Sequence, residues 1–270
     1  MSKDKGDRLI QTLGKLLAAN PPDGAGRFDA AQVEQLLDAY YRHISPSDLE
    51  EHDPQDLLGA LVAHWRLMRE RRLGEAKVRV YNPDQEEHGW RSRDTIVEVV
   101  AQDMPFLVDS ISAALNQRGL AIKLTIHPVF GVSRDSNGKL KALQDTKSAG
   151  ELSSCEAVIQ LHVERQPQEA LADLQQLVVG VIGDVSLATS DWLKMKLLAE
   201  KIEQELGTHG AQNDTCPDTA EARAFLNWMI NDHFLFIASC QFALDGVDGA
   251  ALHFVEGSGL GVLHGGPEAR

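Results

Sequence analysis

The sharpest change of hydrophobic period in the chain falls within residues 95–119. Thr95-Ile-Val-Glu-Val-Val-Ala101 is a near-continuous apolar run of the kind a buried strand requires, and Leu107, Val108, Ile111, Ala114 and Leu115 then recur at helical spacing. Between them lies the corner Gln102-Asp103-Met104-Pro105. Asp103 is placed to cap the helix, Pro105 suits its first turn, and Gly119 closes it. Such a corner aims a helix N-terminus at whatever lies above it, which suits an anion, or else is a plain connection.

Upstream the period is helical. Leu9, Ile10, Leu13, Leu16 and Leu17 form one stripe over residues 8–19, ended by Asn20-Pro21-Pro22-Asp23-Gly24. Asp29 and Gln32 have capping-box spacing and Phe28 and Val33 can form a hydrophobic staple, ahead of Leu36, Leu37, Tyr40 and Tyr41. Ser45-Pro46 opens a short turn or helix, and Asp53-Pro54 a longer one carrying Leu57, Leu58, Leu61, Trp65 and Met68. Arg66, Arg69, Arg71 and Arg72 crowd its end, where solvated cations complement the helix dipole or dock an acidic partner.

From Lys77 the period becomes two: Lys77-Val-Arg-Val-Tyr81 pairs with residues 95–101 across a turn. Residues 121–132 alternate with Ile122, Leu124 and Ile126 on one face and Lys123, Thr125 and His127 on the other, until Pro128 marks an edge or bulge. Asp135-Ser-Asn-Gly138 is a turn. Residues 157–164 alternate again, with Ala157, Ile159, Leu161 and Val163 inward and Val158, Gln160, His162 and Glu164 outward. Lys123, Thr125, His127, Gln160 and His162 thus mark a sheet face open to solvent or a partner.

Helices follow after Pro167 and from Ser190-Asp191, then a polar linker, a helix over residues 219–231, and a hairpin turning at Asp245-Gly246. The expected fold class is α+β. A helical subdomain (residues 1–75) precedes a β-α-β-β-α ferredoxin-like layer (76–206), with Lys77–Tyr81 as its further strand, and residues 207–270 begin a second α+β unit that reads as incomplete.

Composition narrows the functional classes. The 270 residues carry a formal charge of −14, which repels a phosphate backbone and disfavours nucleic acid as a partner. Cys155, Cys216 and Cys240 are scattered and odd in number, pointing to a reducing compartment, and the cytoplasm fits. No signal sequence or membrane span is expected.

Catalytic signatures are absent: there is no P-loop, no GxSxG and no HExxH, and Gly257-Ser-Gly-Leu-Gly261 fails the GxGxxG spacing in every frame. His127, His162 and Cys155 can be drawn as a metal constellation, against the plainer reading of surface or packing residues. Glu86-Glu87-His88-Gly89-Trp90 is either a recognition loop or a capped turn with a Trp anchor.

Several stretches resemble the N-terminal region of the large bacterial NAD-specific glutamate dehydrogenases. They are Tyr40-Tyr-Arg-His-Ile-Ser-Pro-Ser-Asp-Leu49, His64-Trp65-Arg66, Lys77-Val-Arg-Val-Tyr-Asn-Pro83 with Glu87-His-Gly-Trp90, and Asp103-Met-Pro-Phe-Leu-Val-Asp-Ser110, joined by Ile126-His-Pro-Val129 and Gly257-Ser-Gly-Leu-Gly261. The resemblance implies a regulatory and assembly region of ACT-like modules, excised from a longer chain and forming a homo-oligomer together with the remainder of it. It implies no catalytic or cofactor-binding residue in these 270 residues, with NAD bound elsewhere in the parent. ACT modules carry an Asp-x-Pro-Gly-Leu-type turn that receives an amino-acid effector, so Asp103, Met104 and Pro105 are the implied effector contacts. Phe106 stands where that turn has glycine, and is expected to fill the space a ligand would need, favouring a structural role.

Overall fold

A computed structural model describes residues 2–19, 37–41, 44–50, 52–144, 154–210, 217–245 and 251–266. The capping box at Asp29–Gln32, the staple of Phe28 and Val33, Gly246 of the Asp245-Gly246 turn and Cys216 lie outside them. The chain divides into two compact units, Met1–Ile182 and Gly183–Arg270.

The first unit opens with α1 (Ser2–Ala19), helical residues 37–41, α2 (Pro46–Glu50) and α3 (Pro54–Met68). Asp53 caps α3, its carboxylate accepting from the Gln55 amide at 2.8 Å, with Pro54 opening the first turn as its fixed φ favours. Next come β1 (Lys77–Tyr81), α4 (Gln85–His88), β2 (Thr95–Gln102), α5 (Leu107–Gln117), β3 (Ile122–Ile126), β4 (Val129–Arg134), β5 (Leu140–Gln144), β6 (Ser154–Val163) and α6 (Leu171–Ser190).

The six strands form one antiparallel sheet in the order β1-β2-β6-β4-β5, with β3 also on β6. β6 is long enough to pair with β4 over Ser154–Ala157 and with β3 over Gln160–Val163. Pro128 separates the two short strands: it has no N–H to donate, but its carbonyl still accepts from the Val158 amide at 3.0 Å.

One face of the sheet meets α5 and α6 through Val97, Val99, Ala101, Ile159, Leu161 and Val163, packed on Leu107, Ile111, Leu115, Leu171, Leu174, Val178 and Ile182. The other face was expected to be open, and it is not. The N-terminal helices cover it, burying Val100, Ile126, Phe130, Val132 and Val158 against Leu13, Leu37, Tyr40, Tyr41, Leu57 and Met68. Gln160 and His162, read as outward residues, are 0% and 4% exposed beneath that layer. Trp90 is anchored between α3 and the sheet, so close to Gly59 that a Cβ there would meet the Trp90 Cβ at 2.2 Å.

A bulge between Ile122 and Leu124 also changes which residues share a face. Ile122 packs with the α5–α6 core, whereas Leu124 and Ile126, opposite His162 and Gln160, belong to the N-terminal helical side.

The second unit contains the end of α6, α7 (Trp192–Gly210), α8 (Pro217–Trp228), a π-helical turn (Met229–His233) and two short antiparallel pairs. These are β7 (Ala238–Ser239) with β10 (Leu260–Gly261), and β8 (Phe242–Asp245) with β9 (Ala251–Phe254). Asp191 ties this unit together, accepting from the Gly261 amide at 3.1 Å and from Lys194 at 2.7 Å. The helical run Gln168–Thr208 is, by length and composition, long and apolar enough to cross a membrane. Its Leu171, Leu174, Val178 and Ile182 are nevertheless buried in the core against α5 and the sheet.

Candidate functional site

The corner after β2 places Asp103, Met104 and Pro105 side by side. Asp103 and Pro105 are exposed, while Met104 packs into the apolar core. The Asp103 amide donates to the Cys155 carbonyl at 2.9 Å, extending the β2–β6 ladder by one bond. Asp103 does not cap the helix. The N-cap is Phe106, with no side-chain cap hydrogen bond, and the Asp103 carboxylate stands three residues too early. Pro105 likewise precedes the helix instead of sitting in its first turn.

Phe106 has φ 67°, the left-handed conformation that glycine adopts without cost. Its ring does not fill a space beside the corner, as expected from the sequence, but projects outward with 48% of its surface exposed. Asp109, in the first turn of α5, complements the positive end of the helix dipole. His127 lies within electrostatic reach of both Asp103 and Asp109 and is half-buried, with an Nε2 that has no hydrogen-bond partner. Burial pulls its imidazole below the ordinary value and the two carboxylates oppose that shift. The corner therefore assembles two carboxylates and a neutral imidazole at a helix N-terminus. Such a set can accept a proton or meet a cation, and it works against an incoming carboxylate.

His127 and His162 do not meet. His162 lies on the face covered by the N-terminal helices, where its ring packs edge-on to His52 at 5.8 Å between centroids. The metal constellation drawn through them dissolves because the strand register sets them on opposite faces. In the expected recognition loop, Asp84, Glu87 and His88 bring ligand atoms within 4.8 Å of one another. Asp84 spends one carboxylate oxygen as a helix cap on the Glu86 and Glu87 amides, both at 2.9 Å, and Trp90 is a buried anchor. The capped turn is the form realised.

The larger polar constellation lies under the N-terminal helices. Glu98, fully buried mid-strand, accepts from Arg79 at 2.5 and 2.9 Å, from the Tyr81 hydroxyl at 3.0 Å and from the Gln160 amide at 3.2 Å. His64 accepts from the Tyr40 hydroxyl at 2.8 Å through Nδ1 and donates to the Val99 carbonyl at 3.2 Å through Nε2, the one tautomer both partners permit. Arg71, far from being a solvated helix-end cation, is 2% exposed and donates to Glu156 at 2.8 Å, which Arg134 also grips with two bonds of 2.7 and 2.6 Å. Burial pushes the Glu156 carboxyl up, but the two guanidinium groups outweigh it and hold it below the usual range. Arg134 also donates to the Met68 carbonyl, supplying the cation that ends α3. One signal for this network is visible in the sequence: Glu98 interrupts Ile96-Val97 and Val99-Val100 in the middle of a buried run.

The family model for the glutamate dehydrogenase ACT1 domain matches residues 36–178, which hold this sheet, the corner, α2, α3 and α5, and the first part of α6, but not α1. The chain belongs to that family. It is similar to the NAD-specific glutamate dehydrogenases of Pseudomonas aeruginosa, 33% identical over 86% of this chain and 14% of that protein, and of Halomonas elongata, 33% identical over 87% and 15%. The enzyme of Mycobacterium tuberculosis is 29% identical over 76% of this chain and 12% of its own length. The chain thus spans about one seventh of the first two relatives, from 14% to 15%. Within the ACT1 family match, the corner keeps the left-handed backbone that suits glycine while carrying Phe106. The glycine run at the other end does not fit a dinucleotide: Gly261 is in β10, paired to β7, and no helix N-terminus follows it among the described residues.

Proposed function

We propose that this chain is the N-terminal regulatory and assembly region of a large NAD-dependent glutamate dehydrogenase and has no turnover of its own. The parent reaction is the conversion of L-glutamate, NAD and water to 2-oxoglutarate, ammonia and NADH, with NAD held elsewhere in the parent. The ACT1 match over residues 36–178 carries this reading, with the sheet it covers packed between helices. In module terms, residues 1–75 are the helical subdomain and 76–206 the ACT-like domain. There β2-α5-β3/β4-β6-α6 supplies the β-α-β-β-α layer and β1 the further strand beside β2. Residues 207–270 begin a second module, where Phe242, Leu244 and Leu252 are exposed on its hairpin. The remainder of the parent chain and further copies of it are the partners, in the cytoplasm.

The test is a direct assay of purified residues 1–270 for glutamate-dependent NAD reduction, beside sedimentation of the same sample. No NADH and a mass above that of one chain are expected; appreciable turnover sinks the reading. A second reading, an amino-acid sensor at Asp103, Met104 and Pro105, is favoured by the glycine-like φ of 67° at Phe106. Calorimetry against the amino acids with an Asp103→Asn variant tests it, and binding indifferent to that substitution removes it.

A further inference from the structure

Where β6 ends, separate elements of the first unit bring titratable side chains together. His162 lies in β6 opposite Ile96 of β2 and Leu124 of β3. Asp94 immediately precedes β2, and Lys123 sits at the β3 bulge and donates to the Asp94 carboxylate. His52, between α2 and α3, packs its ring edge-on to that of His162 with 5.8 Å between centroids. The tautomer of His162 is fixed by its neighbours. Its Nε2 stands 3.3 Å from the Gln160 Oε1, and because the Gln160 Nε2 donates to Glu98, that oxygen accepts and the His162 Nε2 carries the proton. Nδ1 is therefore a bare lone pair, buried and without a hydrogen-bond donor among the described residues.

From this arrangement we infer that His162 and His52 form a site for a divalent late transition metal ion of the zinc class, with Asp94 as its carboxylate. An imidazole that donates one N–H to a fixed acceptor and keeps the other nitrogen bare is prepared as a metal ligand. Two imidazoles sharing one ion at about 2.0–2.1 Å bring their ring centres to roughly 5–6 Å, which is the spacing of His52 and His162. Burial lowers the His162 imidazole to about 4, so at neutral pH no proton competes for the lone pair. Asp94 is 8% exposed and within electrostatic reach of His162; Lys123 holds its Oδ1, while Oδ2 has no bond among the described residues. Lys123 thus supplies the positive charge that an ion would bring, and with 53% of its side chain exposed it is free to withdraw. The net charge of −14 draws cations to the chain. An ion held here ties the turn ahead of α3 to β6, and with it the helical layer to the sheet.

This goes beyond the regulatory reading and is tested apart from it, by binding and not by turnover. Residues 1–270 are titrated calorimetrically with zinc chloride, and with cobalt(II) chloride for its visible absorption. Saturable binding is expected, with cobalt giving the strong bands of a four-coordinate site. His52→Gln and His162→Gln are each expected to weaken it roughly tenfold or more, and Lys123→Gln to tighten it by removing the competing charge. Zinc is also expected to raise the urea midpoint of the parent chain but not that of His52→Gln. His52 is half-buried and meets His162 only by ring contact, so its replacement decides the matter even where His162→Gln fails to fold. His88→Gln is the control for the exposed turn of Asp84, Glu87 and His88. No saturable binding, binding that survives His52→Gln, or binding lost with His88→Gln overturns the inference. An affinity unchanged in Lys123→Gln overturns the part given to Asp94.

Discussion

β2 and β6 show two ways of burying one sheet. Toward α5 and α6 they present Val97, Val99, Ala101, Ala157, Ile159, Leu161 and Val163, held by apolar area alone. Toward the N-terminal helices the same strands present Glu98, Glu156, Gln160 and His162, just as buried but held by directed bonds: Glu98 to Arg79 and Tyr81, Glu156 to Arg71 and Arg134, Gln160 to Glu98, and His162 to Gln160. The difference is between tolerance and uniqueness. Aliphatic packing accepts small shifts of a helix over the sheet, whereas a bidentate guanidinium grip is lost when the partners move by an ångström or two. The polar face thereby sets where α3 and the β4–β5 hairpin sit on β6, since Arg71 follows α3 and Arg134 lies in β4.

The largest effect is expected where that face is most highly charged. Glu156→Leu leaves Arg71 and Arg134 without their buried counterion, and loses about 3–5 kcal/mol in urea unfolding. On the apolar face, Ile159→Val trims one methylene from a fully buried side chain and costs about 0.5–1.5 kcal/mol. If Glu156→Leu costs no more than Ile159→Val, the two faces are not held differently.

A smaller effect separates the faces by pH. Burial lowers the His162 imidazole to about 4, with His52 and Lys123 acting in the same direction and Asp94 opposing. The unfolded chain titrates near 6.5, so it binds the proton more tightly than the fold does. The stability linked to this group is whole above about pH 6.5 and drains away as pH falls towards 4, about 3 kcal/mol in all. His64, also lowered by burial, adds a slope of the same sign, and the depressed carboxyl of Glu156 adds one at lower pH. Replacing His162 by Phe is expected to flatten the unfolding free energy between pH 6.5 and 4 without abolishing its slope. An unchanged profile would show that the ring is solvated.

These effects also mark what a sequence can disclose. The apolar face was legible because alternation over residues 157–163 names the same side chains that the fold buries. Alternation records only that the other face is polar, and cannot say whether water or a helical layer covers it. Glu98 within its apolar run and Arg71 beyond α3 carried the clue, and each needed a partner far along the chain to become intelligible. The bulge at Lys123 was illegible for a different reason: one extra residue reverses every later side chain, yet nothing in its composition distinguishes it from regular pairing. At the corner the helix was placed too early, because a left-handed Phe106 is invisible in a sequence whose strongest cap-forming residue is Asp103.

Phe106 gives the smallest effect and bears on the apolar side of the comparison. A left-handed conformation costs an L-residue about 1–2 kcal/mol, and glycine removes that cost while adding about 0.5–1 kcal/mol of unfolded-state entropy. With nearly half the ring exposed, little packing is lost, so Phe106→Gly is expected to stabilise the fold by about 0.5 kcal/mol. Phe106→Ala keeps the strain at φ 67° and loses the ring's remaining contacts, so it is expected to fall slightly below the parent. The two variants therefore separate strain from packing in one pair of unfolding curves. Should glycine prove no better than alanine, the left-handed backbone at Phe106 carries no strain; should both fall well below the parent, the ring is holding the corner by contacts stronger than its exposure allows, and the apolar side would share the directed character of the polar one.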